Sequence, residues 1–285
     1  ILKTMTVYLN GKFVDRADAH VSVDDRGFVF GDGVYEVTRS RDGVLLEGDR
    51  HVRRLERSLA GLDLSYSAAE LPAISLRLLR DNGLARGEAT VYWQVTRGAA
   101  APRTHWFPPA GTPVTVFASA SPFASLHEKR ATGVATILIP DQRWARCDLK
   151  TINLLPNVLA KQKAVVAGVH EALLQRDGVI MEGAATNFFG VIDGVVRTHP
   201  RTNYILPGIT REVVLELAAE LGMTVREEPM LVDDLPRLTE SFLTGTTNDV
   251  MPVVAIDGRP VGDGRPGPIA GRLYSALIAR WRVGD

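Results

Sequence analysis

Arg146-Cys147-Asp148-Leu149-Lys150-Thr151-Ile152-Asn153-Leu154-Leu155-Pro156-Asn157-Val158-Leu159-Ala160 is the stretch whose reading decides the fold. One lysine stands here between an acid and an apolar run that implies burial. An ammonium taken out of water is costly unless it has a partner or a task, so Lys150 is a candidate nucleophile. Spacing alone favours a snorkelling lysine at a helix start, with its stem on the core and its head in water. The surrounding chain has to separate these readings.

Working outward, the bulk properties exclude several classes. Lys plus Arg (33) balances Asp plus Glu (33) and no block of like charge occurs. Nucleic acid and membrane are therefore not expected as partners, and small molecules are. With 285 residues, 45% of them hydrophobic, the chain can build two domains around substantial cores. The single cysteine, Cys147, excludes an intramolecular disulfide, fits a reducing compartment and reads as an inert buried thiol. The histidines are scattered without the close pairs of zinc sites, so no metal is expected. No apolar run has the length of a membrane span and no secretory signal pattern opens the chain, which points to the cytoplasm. Ile1 to Thr4 read as residues preceding a natural start at Met5.

Local signals indicate an α+β chain. Asn10-Gly11 turns Val7-Tyr8-Leu9 into Phe13-Val14, and Asp42-Gly43 turns Val34–Arg39 into Val44-Leu45-Leu46, each as a tight hairpin. Val52, Leu55, Leu59 and Leu62 share one helix face, and Ser67-Ala68-Ala69-Glu70 has the form of a capping box for a second helix. Thr90–Thr96 reads as a central strand and Val114–Ala118 as another. The pattern then breaks into small residues, proline and charges. This gives a smaller N-terminal domain over 1–120, a linker over 121–132 and a larger domain over 133–285. In the second half, strands are expected at Ile137–Ile139, Ala172–Leu174, Val179–Met181, Phe188–Ile192 and Val195-Val196, with turns at Asp177-Gly178 and Asp193-Gly194. Helices are expected over about 154–167, over 210–221 with Gly222 as the stop, and over about 269–281.

Other short motifs are individually weak. Glu182, in Met181-Glu182-Gly183-Ala184-Ala185-Thr186-Asn187, can be an ordinary turn glutamate. Leu206-Pro207-Gly208-Ile209-Thr210-Arg211 runs into a helix, so the N–H groups of Ile209 and Thr210 can face an anion, though Gly-x-Thr there is also plain capping. Thr244-Gly245-Thr246-Thr247-Asn248 is a hydroxyl-rich turn, and Pro102-Arg103-Thr104-His105-Trp106 a polar loop.

Taken in order, these motifs resemble the fold type IV pyridoxal-phosphate enzymes: D-amino acid transaminases, branched-chain aminotransferases and aminodeoxychorismate lyases. The resemblance runs from Tyr8-Leu9-Asn10-Gly11 to about Val253. It implies two α/β domains of the D-amino acid transaminase-like architecture, with the cofactor pyridoxal 5′-phosphate at the domain interface. It assigns Lys150 to the Schiff base and Glu182 to the pyridine nitrogen. Arg54, in His51-Val52-Arg53-Arg54-Leu55, joins Ile209, Thr210, Thr246 and Thr247 around the phosphate, and Asn187 also binds the cofactor. Tyr35, Arg103 and His105 resemble the substrate-carboxylate trap of D-amino acid transaminases, in which Arg and His come from the neighbouring subunit. A homodimer with shared active sites is implied.

Two departures from the family pattern stand out. The segment between Gly98 and Arg103 is one residue longer than expected, so the reach of the trap should differ. Ala184 and Ala185 replace common hydroxyl residues, so one or two cofactor hydrogen bonds should be missing. The implied activity is transfer of an amino group between a D-amino acid and a 2-oxo acid, of the D-alanine/2-oxoglutarate type. The alternatives are an (R)-selective amine transaminase, a branched-chain aminotransferase, an aminodeoxychorismate lyase and, from a different class, a non-catalytic cofactor binder.

Overall fold

A computed structural model describes residues 5–281. Ile1–Thr4, read as preceding a natural start, lie outside the described residues. The chain divides into two compact units: one holds the residues before Ser125 together with Leu149–Asn153, the other Ser125–Asp148 and the residues from Leu154 onward.

The first unit contains strands β1 (Thr6–Leu9) and β2 (Lys12–Asp15), helix α1 (Arg26–Phe30), strands β3 (Gly33–Arg41) and β4 (Val44–Leu45), helices α2 (Gly48–Gly61) and α3 (Leu71–Asp81), and strands β5 (Glu88–Thr96) and β6 (Thr115–Pro122). They build an antiparallel six-stranded sheet in the order β2-β1-β6-β5-β3-β4. The two expected hairpins form. Asn10 and Gly11 have φ of 47° and 86°, Asp42 and Gly43 of 48° and 78°, the positive values that a two-residue type I′ turn demands. Along β5, Ala89, Val91, Trp93 and Val95 alternate onto one fully buried face, as the period of two requires. Leu55 and Leu59 of α2 and Leu71, Ile74, Leu78 and Leu79 of α3 cover that face. Each fully buried leucine contributes about 1.5–3 kcal/mol. Trp93 Nε1 donates to Ser75 Oγ on α3 at 2.8 Å, so the indole is buried without an orphaned donor.

One expectation for this half needs correction. Ser67 does not open a capping box: α3 starts at Leu71 with no side-chain cap, and Ser67 Oγ accepts only from Ala69 N at 3.5 Å. Pro72, whose fixed φ suits a first helical turn, sets the start instead. Within 121–132, β6 runs to Pro122 and helix α4 (His127–Thr132), part of the second unit, follows. Arg130 of α4 is buried and donates to Asp249 Oδ2 at 2.9 Å. That tertiary ion pair has no local sequence signature.

The second unit continues with β7 (Val134–Pro140), α5 (Leu155–Val166), β8 (Glu171–Arg176), β9 (Val179–Gly183), β10 (Asn187–Ile192), β11 (Val195–Thr198), α6 (Ile209–Glu220), β12 (Val225–Glu227), β13 (Met230–Leu231), β14 (Glu240–Gly245), β15 (Asp249–Ile256), β16 (Arg259–Pro260) and α7 (Pro268–Arg280). Its ten-stranded mixed sheet runs β12-β11-β10-β14-β15-β7-β8-β9-β13, with β16 paired to β15. Phe189 and Phe242 sit opposite each other on β10 and β14 and stack at 4.9 Å. All six residues of β10 are buried, so both faces of this strand are covered. No helix among the described residues is long and apolar enough to cross a membrane.

Candidate active site

Lys150 lies on the segment Leu149–Asn153, which runs antiparallel to the start of β3. Tyr35 N donates to Lys150 O at 3.0 Å, Ile152 N donates to Gly33 O at 3.1 Å, and Val34 bridges Thr151. From α2, Ser58 Oγ accepts from Lys150 N at 3.1 Å and donates to Arg54 O at 3.0 Å. The backbone on both sides of the lysine is thus held by pairing rather than left as loop. Its half-buried side chain crosses Tyr35: Nζ lies 4.3 Å from the ring centroid and donates to the hydroxyl at 3.3 Å. Tyr35 in turn stacks on Tyr92 at 5.8 Å. Burial and the neighbouring Tyr35 push the Tyr92 hydroxyl up to about 12, so it stays protonated and donates to Gln94 Oε1 at 2.6 Å.

Next to Tyr35, Glu36 is completely buried against α2. Arg54 grips it with Nε on Oε1 at 2.6 Å and Nη2 on Oε2 at 2.9 Å, and His51 Nδ1 meets Oε2 at 2.7 Å. Burial alone would push the Glu36 carboxyl up, but Arg54 and His51 together hold it well below the usual carboxylate range. His51 is pushed down, first by burial and against the pull of Glu36. An ionised carboxylate only accepts, so His51 donates to it from a protonated Nδ1. This triad fixes the Arg54 guanidinium in one orientation.

Both shifts are downward, so the stability they contribute is present above the unfolded values and is lost as pH falls from about 6.5 for His51, and from about 4.3 for Glu36, down through their lower folded values. Denaturant midpoints should accordingly decline from pH 7 toward pH 4. Glu36→Gln should cost about 3–5 kcal/mol at pH 7, because it leaves a buried guanidinium without its counter-charge. An unchanged midpoint in that variant would contradict the triad's role.

Arg103 and His105 sit in an exposed loop between β5 and β6 and use the same aromatic surface. The Arg103 guanidinium lies 4.3 Å from the Phe30 ring centroid, and the His105 ring is 5.6 Å from it. Among the described residues, no hydrogen bond or ion pair joins either side chain to Tyr35 or Lys150.

In the second unit, Glu182 is the penultimate residue of β9 and is buried. It accepts from Arg143 Nη1, from Leu206 N at 3.0 and 3.2 Å on its two oxygens, and from Asn187 Nδ2 at 2.9 Å. Burial pushes this carboxyl up and Arg143 opposes it. Arg143 is itself anchored on Asp141 through Nε at 2.9 Å and Nη2 at 3.1 Å. Asn187 spends its amide on the protein: Nδ2 also donates to Leu206 O at 2.8 Å, and Oδ1 accepts from Gly208 N at 3.1 Å. Gly208 has to be glycine for this, since a Cβ there would stand 2.2 Å from Asn187 Oδ1. Asn187 therefore ties Glu182 to the entry of α6, where Ile209 and Thr210 supply the first helical N–H groups, which have no intrahelical acceptor.

Asn187 also pairs in register with Thr244. That puts the turn carrying half-buried Thr246 and Thr247 at the same end of the sheet. The Thr244 Oγ1 hydroxyl, just before that turn, is buried without a hydrogen-bond partner. At Ala184 and Ala185, Glu171 organises the turn, accepting from Ala185 N and Thr186 Oγ1 at 3.3 Å each. Within the second unit, a buried carboxylate, a helix start and small hydroxyl residues around glycines suit the ring nitrogen and phosphate of an aldehyde cofactor, and in the first unit Lys150 supplies an amine of the kind such an aldehyde takes up.

A model of the amino-transferase class IV family matches residues 33–256. The chain belongs to the class IV aminotransferase family. Among curated class IV relatives, the D-alanine aminotransferase of Bacillus licheniformis is 43% identical over 280 residues, covering 96% of both chains. That of Staphylococcus aureus strain COL is 40% identical over 273 residues, covering 95% of this chain and 96% of the relative. The Escherichia coli branched-chain amino acid aminotransferase superposes with a TM-score of 0.88 at 29% identity, covering 97% and 94% of the two chains. The branched-chain amino acid aminotransferase of Thermoproteus uzoniensis, solved with norvaline, superposes with a TM-score of 0.85 at 27% identity, covering 97% and 94%. This class IV chain has the fold type IV architecture expected for it.

Sequence reasoning assigns no role to Glu36, His51, Arg143 or Asp141. His51 and Arg54 are three residues apart on one helix, a spacing that puts both on the same side and could have revealed a shared acidic partner. Arg143 carries no comparable signal, because its segment has no regular secondary structure.

Proposed function

We propose that the protein is a pyridoxal-phosphate-dependent transaminase that exchanges an amino group between a D-amino acid and a 2-oxo acid, D-alanine and 2-oxoglutarate being the expected pair. The observation that carries this reading is the Lys150 ammonium, fixed by backbone pairing on both sides and held on the Tyr35 hydroxyl at 3.3 Å, in a chain 43% identical to a D-alanine aminotransferase. The fold alone does not separate D-amino acid from branched-chain enzymes, since it superposes on the latter; the carboxylate-binding residues have to.

Bound pyridoxal phosphate supplies an aldehyde that takes up the amino group and a ring that accepts the electron pair released at Cα. Lys150 Nζ would hold the aldehyde carbon and, once displaced by the incoming amine, move the substrate's Cα proton as general base and acid. Glu182 would hold the proton on the ring nitrogen, with Arg143 and the Leu206 N–H favouring the charged carboxylate against the burial that pushes its pKa up. Ile209 and Thr210 at the start of α6, with Thr246, Thr247 and Arg54, would hold the phosphate. Asn187 would keep Glu182 and the phosphate residues in register. Tyr35, Arg103 and His105 would take the substrate carboxylate, Arg103 through paired donors. Among the described residues, Arg103 and His105 make no hydrogen bond or ion pair to Tyr35 or Lys150, in keeping with a homodimer in which they serve the partner's site.

The test is Arg103→Ala assayed with D-alanine and 2-oxoglutarate. Loss of a charged hydrogen-bond donor should raise KM about 10- to 100-fold while kcat falls much less. A KM within twofold of wild type, or full activity on (R)-1-phenylethylamine in place of D-alanine, would replace this reading with an amine transaminase.

A further inference from the structure

The carboxylate-binding pair sits in an exposed loop, yet something has to fix its geometry, because an arginine that wanders loses the advantage of paired donors. The structure provides a buried frame. Arg26, the first residue of α1, is only 5% exposed although it is charged. Its Nε donates to Asp32 Oδ2 at 2.8 Å, and its Nη1 donates at 2.8 Å to the carbonyl of Thr104, the residue between Arg103 and His105. Asp32 Oδ2 is also held by Arg97 Nε at 2.8 Å, and Arg97 in turn donates to Leu62 O at 2.6 Å and Asp63 O at 3.1 Å. The base of the loop is tied down separately, with Arg26 N donating to Gly98 O at 2.9 Å and Ala100 N to Asp24 O at 3.2 Å.

Phe30, at the other end of α1, completes the frame. Arg26 lies 4.7 Å from its ring centroid, Arg103 4.3 Å and His105 5.6 Å. Two arginines and a histidine thus share one aromatic ring, and the backbone between Arg103 and His105 hangs from a guanidinium that is itself locked on Asp32. Helix α1 is held in place by Asp25, which accepts from Gly27 N at 2.8 Å and from the hydroxyls of Thr96 and Thr115 at 3.0 and 2.6 Å.

We propose that Arg26 is a positioning residue for substrate: clamped by Asp32, it sets through the Thr104 carbonyl and the Phe30 ring where Arg103 and His105 present their donors, and so tunes affinity for the carboxylate shared by amino acid and oxo acid. This rests on the reading of Arg103 and His105 as carboxylate-binding. Lysine at this position keeps a point charge for Asp32 but cannot fork to Thr104 O as well, so Arg26→Lys preserves the buried pair while releasing the loop.

The experiment measures KM and kcat for D-alanine and 2-oxoglutarate, and the Kd of pyridoxal phosphate for the apo protein, in wild type, Arg26→Lys, Arg103→Ala and the double variant. Arg26→Lys should raise KM for both substrates about tenfold, with kcat within about twofold and cofactor Kd unchanged. The double variant should match Arg103→Ala alone, because Arg26 acts through the residue already removed. Wild-type KM in Arg26→Lys while Arg103→Ala is impaired would overturn the positioning role, as would a double variant weakened by the full product of the two factors. A wild-type KM in Arg103→Ala would instead sink the carboxylate-binding reading itself.

Discussion

Lys150→Ala should lower turnover with D-alanine by about 10⁴-fold or more, the loss of a positioned general acid–base and of the covalent anchor acting together. Among the described residues the lysine makes one side-chain hydrogen bond, to Tyr35, and its backbone pairing does not depend on the side chain. The variant should therefore fold with wild-type secondary structure. It should still take up pyridoxal phosphate through the residues proposed to hold the phosphate, but dialysis should strip the cofactor readily. Near-normal turnover in this variant would rule out the mechanism.

Glu182→Gln should lower kcat by about 10²–10³-fold, the usual cost of removing one electrostatic stabiliser from a water-excluded site, with KM changed little. Glutamine keeps the shape and can still accept from Leu206 N, and Arg143 keeps its two bonds to Asp141. What is lost is the negative charge that would retain the ring-nitrogen proton. The effect belongs on proton abstraction, not on substrate affinity, so single-turnover rates should fall as far as kcat does. A variant with higher KM and normal kcat would contradict the assigned role.

The parts of this molecule that can be read from the sequence are those with local causes. Asn10-Gly11, Asp42-Gly43, Asp177-Gly178 and Asp193-Gly194 each carry the positive φ pair of a tight hairpin, and the dipeptide alone forces it. The face of α2 needs only its periodicity. The strands β14 and β15 do not read as strands: Pro252 sits inside β15 opposite Phe242, and an internal proline normally argues against a central strand. α1 is too short to show a period, and α4 depends on the Arg130–Asp249 ion pair.

The site divides in the same way. Lys150 and Glu182 stand out only through motif order, since each alone is consistent with an ordinary surface residue. The supports around them are not legible in the sequence, because Glu36 holding Arg54, Asn187 joining Glu182 to Gly208, and Arg26 reaching Thr104 across 78 positions of sequence are all tertiary facts. A chemistry-bearing residue can be named from its motif, whereas the residues that aim it become visible only once the chain is folded.

The most direct test of the central claim is a single-turnover spectral experiment. The yellow protein loaded with pyridoxal phosphate is mixed in turn with D-alanine, D-glutamate, an L-branched-chain amino acid and (R)-1-phenylethylamine, while loss of the aldehyde-form absorbance and gain of the amine form are followed. Rapid conversion by the two D-amino acids, and slow or no conversion by the other two, is the expected result. Conversion chiefly by the L-amino acid or by the amine, or none by any of the four, would contradict it.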